Sequence, residues 1–296
     1  MSERSAWIVG EALIDLVPDE LGVRYPIVGG GPANTAKALA KLGVKTSFIG
    51  GISNDEYGKQ IRNEILESSA DLSLSLTSDL PTATAKVTLN KSGAATYEFT
   101  LENTATFDFS DSWLPTGTPT VLHCGTLGTL IEPGASHLFE WAKSIKAPKI
   151  YDPNIRPSVL SDRKKYLASV EKWISICDVV KMSEEDFSWL YDGEIEPADL
   201  LKLGPSLVVI TQGESGIVGF HDTDFIAVPG VKVKVVDTVG AGDTVGAILV
   251  EAIHRCGVQA TLEDLENVLN RAAKAAAITC SRAGAKPPTR EELEAF

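Results

Sequence analysis

No stretch of about 18 uninterrupted apolar residues occurs in this 296-residue chain, which excludes a membrane-spanning helix. The first apolar stretch, Trp7 to Val17, is cut by Glu11 and Asp15 and lacks the basic flank of a signal peptide, so a cytoplasmic protein is expected. Cysteine is scarce: Cys124, Cys177, Cys256 and Cys280 are widely spaced, with no C-x-x-C pair and no histidine at metal-ligand spacing. Buried free thiols are therefore expected rather than a zinc site or a disulfide framework. Positive charge is also short, with 27 Lys and Arg against 40 Asp and Glu and a net charge of −13. A field of that sign repels polyanions and argues against nucleic acid as a partner. A small anion remains compatible if helix N-termini, a few basic side chains and a magnesium ion hold it locally. The Walker A pattern G-x-x-x-x-G-K-[ST] is absent, so a P-loop enzyme is excluded.

What is present reads as a globular chain: 44% hydrophobic and 23% charged residues, with no repeat, low-complexity tract or long linker. The length allows one large domain spanning residues 1–296. Short β-rich runs alternate with helical patterns: Ala6 to Val9, a helix after Pro32, Ser47 to Ile49, then a helix with Ser53 as N-cap and Glu56 completing a capping box. That order predicts an α/β fold with a mostly parallel sheet. Further strands are predicted at Val121 to His123, Lys149 to Tyr151, Asp178 to Lys181, Leu207 to Ile210, Ile217 to Phe220 and Val231 to Val236. Between Thr82 and Thr100, β-branched residues flank Asn90-Lys91-Ser92-Gly93, which predicts a hairpin appended to the α/β pattern. Near the C-terminus Val245, Ile248, Leu249, Ala252 and Ile253 define one amphipathic helix, with Gly257 placed to end it. A second begins near Thr261, with Leu265, Val268, Leu269, Ala272 and Ala276 on its buried side.

Two glycine-rich segments carry the chemistry. Asp237-Thr238-Val239-Gly240-Ala241-Gly242-Asp243 leads from a predicted strand into the first of those helices. Its small residues leave backbone N–H groups open at a helix N-terminus, where the dipole favours an anion. A Gly-x-Gly turn of this kind also opens dinucleotide-binding folds, but Asp243 would point a carboxylate at a bound pyrophosphate. The same carboxylate suits phosphoryl transfer, as the base that takes a hydroxyl proton beside an anion hole. A helix-capping aspartate with turn glycines is the structural alternative. The second segment, Gly29-Gly30-Gly31-Pro32-Ala33-Asn34, lets a ligand approach backbone amides, with Asn34 presenting an amide and Asp15 a carboxylate able to accept two sugar hydroxyls. Turn glycines and a loop aspartate are the alternative there.

Together these segments resemble the ribokinase-like (PfkB) carbohydrate kinases, from about Trp7 to Phe296. GGGPANTAKALAKLG at Gly29 to Gly43 is similar to the family's N-terminal signature, and DTVGAGD at Asp237 to Asp243 to its C-terminal one. The resemblance implies a Rossmann-like α/β/α sandwich with a small β-sheet lid, contributed by about residues 82–100 and short segments near 12–28. It implies Asp243 as catalytic base, Gly240, Ala241 and Gly242 as anion hole, and Asp15, Gly30, Gly31, Asn34 and Phe99 as the sugar-binding set. Tyr97 shares a strand face with Phe99 and is expected to act with it. Asp152-Pro153-Asn154-Ile155-Arg156 resembles the family's D-x-N-x-R strand end, where the arginine contacts sugar or the transferring phosphate. Thr211, Gly213 and Gly216 resemble the nucleotide-phosphate turn, and Ser183 and Asn270 the remaining ATP contacts. One motif departs: where many members carry N-x-x-E, this chain has Ser183-Glu184-Glu185-Asp186, with Asp186 expected to meet magnesium through water. Asp237 is expected near a monovalent cation, K+.

The activity implied is transfer of the ATP γ-phosphate to a primary hydroxyl of a small sugar, with Mg2+. Gly10-Glu11-Ala12-Leu13-Ile14-Asp15 and Ser281-Arg282-Ala283-Gly284-Ala285 are most similar to fructokinases, which makes fructose the first choice. 2-Keto-3-deoxygluconate kinase and ribokinase-type activities are the alternatives within the class. An inactive sugar- or nucleotide-binding regulatory protein and a nicotinamide-dependent oxidoreductase are those outside it. The expected partners are sugar and ATP, with no nucleic acid, no membrane and a homodimer through the lids.

Overall fold

The computed structural model describes residues 5–19, 21–89 and 95–296. Its strands are β1 (Ala6–Val9), β2 (Leu13–Pro18), β3 (Arg24–Gly29), β4 (Thr46–Ile49), β5 (Gly51–Ser53), β6 (Leu76–Ser78), β7 (Thr84–Leu89), β8 (Ala95–Thr100), β9 (Leu122–Gly125), β10 (Lys149–Asp152), β11 (Val179–Ser183), β12 (Leu207–Thr211), β13 (Ile217–His221) and β14 (Asp224–Val228). Its helices are α1 (Gly31–Lys41), α2 (Glu56–Glu67), α3 (Gly134–Ser144), α4 (Arg163–Ile174), α5 (Glu184–Tyr191), α6 (Ala241–Glu263), α7 (Leu265–Cys280) and α8 (Arg290–Ala295).

The large sheet has the order β14-β13-β12-β11-β10-β9-β1-β4. Pairings from β4 to β12 are parallel, and β13 and β14 add an antiparallel edge. Alternation along each strand sends side chains to two faces. Ile8, Ile150, Val179, Leu207 and Val209 pack with α1, α6 and α7 on one face. Their neighbours Trp7, Val9, Tyr151, Val180, Met182, Val208 and Ile210 pack with α3, α4 and α5 on the other. A parallel sheet buried on both faces reads as an apolar run rather than an alternating one, as these strands do. The result is the three-layer α/β/α arrangement expected from the sequence.

A second, four-stranded sheet has the order β3-β2-β7-β8. It contains the expected hairpin, with β7 antiparallel to β8, while β2 joins β7 in parallel and β3 antiparallel. The turn at 90–93 and the side chain of Tyr97 lie outside the described residues. Asp15 is in register with Ala85, and Ala85 with Phe99, so these three project from one face of the small sheet.

Several local expectations are corrected. Val231 to Val236 forms no strand; β14 takes the edge position, and Val236 and Asp237 instead donate their backbone N–H groups to Cys280 O at 2.8 and 3.2 Å. The Val–Lys alternation there imitates a strand but has no pairing edge. The N-cap of α2 is Asp55, whose side chain accepts from Gly58 N, while Ser53 belongs to β5. Gly257, at φ 81°, ends the first helical run of α6 as expected; a short second run continues to Glu263, and α7 starts at Leu265 rather than near Thr261. All four cysteines are free, but only Cys124 and Cys177 are buried.

Candidate active site

The C-terminal ends of parallel strands leave backbone groups and loops on one edge of the sheet, where α/β folds place ligands. A cleft of about 1020 Å³ opens there. Its floor comes from Glu11 after β1, Thr126 after β9, Asn154 and Arg156 after β10, Lys181 and Ser183 on β11, and Thr211 at the end of β12. The first turn of α6 and the start of α1 close one wall, and Leu13, Asp15 and Phe99 of the small sheet face it.

Asp243 occupies the first turn of α6 and is buried. Asn34 Nδ2 donates to its Oδ2 at 2.9 Å, so two segments some two hundred residues apart meet at one carboxylate. A methyl group on Gly31 would lie 3.3 Å from Asp243 Oδ1 and 2.7 Å from Thr126 Cγ2, so glycine keeps the approach to the carboxylate open. Gly240 adopts φ 79°, and a Cβ there would meet Ala285 Cβ at 2.7 Å. Only glycine satisfies both the backbone conformation and the close approach. The first intrahelical bond of α6 runs from Thr244 N to Gly240 O, which leaves the N–H groups of Gly242 and Asp243 without a helical partner.

Burial pushes the Asp243 carboxyl up to about 6, helped by the charge of Asp152 and opposed by Lys181, the Asn34 hydrogen bond and Arg156. Burial likewise raises Asp15 to about 6, against the pull of Arg156. A carboxylate poised near neutrality is suited to accept a proton from a hydroxyl. Arg156 is half-buried; its Nη1 donates to Asn154 Oδ1 at 2.7 Å and to Ile155 O at 2.9 Å, and it forms no ion pair among the described residues. The guanidinium thus keeps donors for an incoming oxyanion.

Ser183 caps α5, accepting from Asp186 N at 3.0 Å. Asp186 Oδ1 accepts from Ile155 N at 3.1 Å, tying α5 to the loop that carries Arg156. Burial and Asp152 raise the Asp186 carboxyl above its ordinary value. Among the described residues no group of three or more His, Cys, Asp or Glu is arranged to hold a metal ion. The carboxylates of Glu184, Glu185 and Asp186 do line the cleft, which fits a divalent cation that brings its own phosphate ligands.

The cleft therefore gathers Asp15, Gly30, Gly31, Asn34, Phe99, Arg156, Ser183, Asp186, Thr211, Gly213, Gly240, Gly242 and Asp243. Four expected residues lie outside its lining. Ala241 donates its N–H to Thr238 O at 3.3 Å. Gly216 packs against the end of β14, where a Cβ would meet Val228 O at 2.0 Å. Asn270 turns back on α7, its Nδ2 bonding to Glu266 O at 2.9 Å. Asp237 accepts from Val239 N at 3.0 Å and Gly284 N at 2.8 Å, fastening the Thr238–Val239 approach to the segment after α7. Sequence reasoning missed Glu11, Lys181 and Glu184. Lys181 interrupts an apolar strand pattern and Glu11 follows one, and a charge within or directly after a buried strand is the signal that could have found them. Glu11 accepts from Gly128 N at 2.9 Å, and burial lifts its carboxyl to about 7.

Comparison with known proteins agrees with this geometry. The model of the pfkB family carbohydrate kinases matches residues 4–292. A fructokinase of Rhizobium leguminosarum bv. trifolii is 34% identical over 273 residues, covering 88% of this chain and 80% of its own length. A fructokinase of Salmonella typhimurium is 28% identical over 288 residues, covering 94% of each chain. Among solved structures, fructokinase from Vibrio cholerae O395, in a form with fructose, ADP and calcium ion bound, superposes with a TM-score of 0.88 at 25% identity, covering 100% of this chain and 99% of that one. Fructokinase from Xylella fastidiosa with bound ATP gives 0.89 at 23% identity, covering 98% and 97%. With its family match nearly end to end and its buried aspartate at an open helix N-terminus, the chain belongs to the pfkB family of carbohydrate kinases.

Proposed function

We propose that this protein is a fructokinase, transferring the γ-phosphate of ATP to a primary hydroxyl of fructose. The observation that carries this is Asp243: a buried carboxylate raised to about 6, held by Asn34, beside the amides of Gly242 and its own backbone, which have no helical partner. In this reading Asp243 takes the proton of the attacking hydroxyl while those amides and Arg156 stabilise charge on the transferred group. Asp15, Gly30, Gly31, Asn34 and Phe99 bind the sugar. Ser183, Thr211, Gly213, Gly240 and Gly242 surround the phosphates of ATP. The small sheet acts as a lid on a single domain. Asp186 would hold Mg2+ through water, and the ion would neutralise phosphate charge when bound. Asp237 is assigned to the flank of a K+ site. The related fructokinase structures from Vibrio cholerae O395, with fructose, ADP and calcium or potassium ion bound, support the sugar, the nucleotide and the presence of cations.

A cytoplasmic homodimer through the lids is part of the proposal. It is supported by Tyr25 and Ile27 of β3, which are 52% and 46% exposed and in register with Val17 and Asp15. Sedimentation velocity on the wild type and on Tyr25→Ser/Ile27→Ser tests it, a monomeric wild type being the contrary result. The activity is tested by ADP release from Mg-ATP across fructose, ribose, 2-keto-3-deoxygluconate, tagatose, glucose and adenosine, with Asp243→Asn as control. Fructose-dependent release that disappears in the variant is expected; preferred turnover of another acceptor moves the substrate, and folded protein without any turnover defeats the kinase reading.

A further inference from the structure

Lys181 lies on β11 where parallel register continues the pairs Ile150–Val179 and Tyr151–Val180, which brings it beside Asp152. Its Nζ donates to Asp152 Oδ2 at 2.8 Å, and both side chains are almost wholly buried. The ammonium sits directly beneath the open turn of α6: a Cβ on Gly242 would come within 2.9 Å of Lys181 Nζ. This placement is unfavourable taken alone, because a helix N-terminus already carries partial positive charge and repels a cation. Burial adds a further cost, which the Asp152 ion pair and the charges of Asp243 and Asp186 outweigh, so the ammonium is held above its ordinary pKa and stays charged. Asp152 Oδ1, moreover, has no hydrogen-bond partner among the described residues. An ammonium kept at this point, with two N–H donors not used on Asp152, makes sense if an anion arrives at the same turn.

We propose that Lys181, anchored by Asp152 beneath Gly242, is a positioning residue for phosphoryl transfer, supplying fixed positive charge under the amide hole and keeping Asp243 in its ionised, proton-accepting form. The inference rests on the kinase reading above. The groups that face this pair are Asp243 on α6, Asp186 on α5, Arg156 after β10 and His123 on β9. His123 is neutral, since burial pulls it down to about 4. Arg156 is the other cation that opposes the charge of Asp152 on Asp243. Removing Lys181 leaves Asp152 uncompensated and makes ionised Asp243 harder to maintain.

The test uses the full chain with Lys181→Met, and Lys181→Met/Asp152→Asn, which removes both buried charges and so guards against a folding failure caused by an unpaired carboxylate. kcat and KM for ATP and for fructose are measured from acid to alkaline pH, after thermal melts confirm folding. Lys181→Met is expected to lose about 10²-fold or more in kcat, with KM for fructose changed by less than about threefold. Its acid limb should move to higher pH than in the wild type. The double variant is expected to keep the low kcat while its acid limb moves back toward lower pH. Wild-type kcat in the folded double variant would mean that the pair is only structural, and overturns the inference. Absence of sugar-dependent turnover in the wild type itself defeats the kinase reading, a result distinct from wild-type turnover that survives the loss of Lys181.

Discussion

Replacing Asp243 by asparagine is expected to remove turnover and, at the same time, to make the protein more stable. The carboxyl is displaced from 3.8 to about 6, with burial as the main cause. That displacement corresponds to roughly 3 kcal/mol by which the folded state disfavours the charged form at neutral pH. The folded state holds its proton more tightly than the unfolded state does, so wild-type stability falls as pH rises from about 4 to 6 and the cost is complete above that window. The amide isostere has no charge to bury. It retains an oxygen for Asn34 Nδ2, and Asn34 Oδ1, buried without a partner among the described residues, is available as acceptor if the pair reorients. For a chain of this size roughly 2 °C accompanies each kcal/mol, which gives a rise in Tm of at most about 6 °C near neutral pH. Near pH 4 the rise should vanish. Thermal or urea unfolding of both proteins at the two pH values is the assay, alongside a drop in kcat of about 10²-fold or more. A Tm difference of the same size at both pH values, or a variant less stable than wild type near neutral pH, would refute the account of Asp243 as a buried charge held against its ordinary ionisation.

The wild-type kcat/KM for fructose should fall steeply below about pH 6, because Asp243 and Asp15 are both raised to about 6 and both act ionised. Asp15→Asn should raise the fructose KM and reduce the slope of that limb, a steady-state pH profile being the check; an unchanged slope speaks against Asp15 at the sugar. Gly240→Ala places a side chain at φ 79° against Ala285 and should destabilise by roughly 1–3 kcal/mol in urea titrations while lowering kcat. Glu251 is buried between Arg271 at 2.9 Å and Arg290 at 3.6 Å, so Arg271→Met should lower stability by roughly 3 kcal/mol and leave the fructose KM unchanged.

Much of the site could be read from residue types whose conformational demands are narrow. Gly240 and Gly242 before an amphipathic run imply an open helix N-terminus, and Asp243 in that turn implies a charge held there for chemistry. The burial of Asn34 against Asp243 could not be read, because nothing local says that residues 34 and 243 meet; the packing of α1 against α6 on one face of the large sheet brings their starts together. Where sequence reasoning failed, local pattern and tertiary partner disagreed. Val231 to Val236 alternates like a strand, yet Asp224–Val228 already occupies the edge beside β13. Ser53 and Glu56 have capping-box spacing, but Asp55 lies nearer the first helical residue and reaches Gly58 N at 2.7 Å. Gly216 and Asn270, placed by analogy with the phosphate turn and the adenine side, lie outside the cleft lining, Gly216 against Val228 O and Asn270 bonded to Glu266 O.

The charge balance of the cleft bears on how the nucleotide enters. Glu11, Asp15, Glu184, Glu185, Asp186, Glu214 and Asp243 line it, against Arg156 and Lys181. Glu11, raised to about 7, is only partly charged at neutral pH, but the excess remains strongly negative. A bare triphosphate meeting that surface is repelled, and the net charge of −13 on the whole chain reinforces the repulsion at long range. The amides of α6 and the Lys181 ammonium act only within a few ångströms. A divalent cation travelling with the nucleotide reverses the sign of the encounter, and the carboxylates of α5 then attract the complex that they would otherwise exclude. Titration calorimetry should therefore find ATP binding at least about tenfold weaker with EDTA than with Mg2+. Moderate salt should narrow the gap by screening the repulsion. Equal affinity with and without the metal would mean that the local amides and two cations suffice, and that the acidic rim plays no part in admitting the nucleotide.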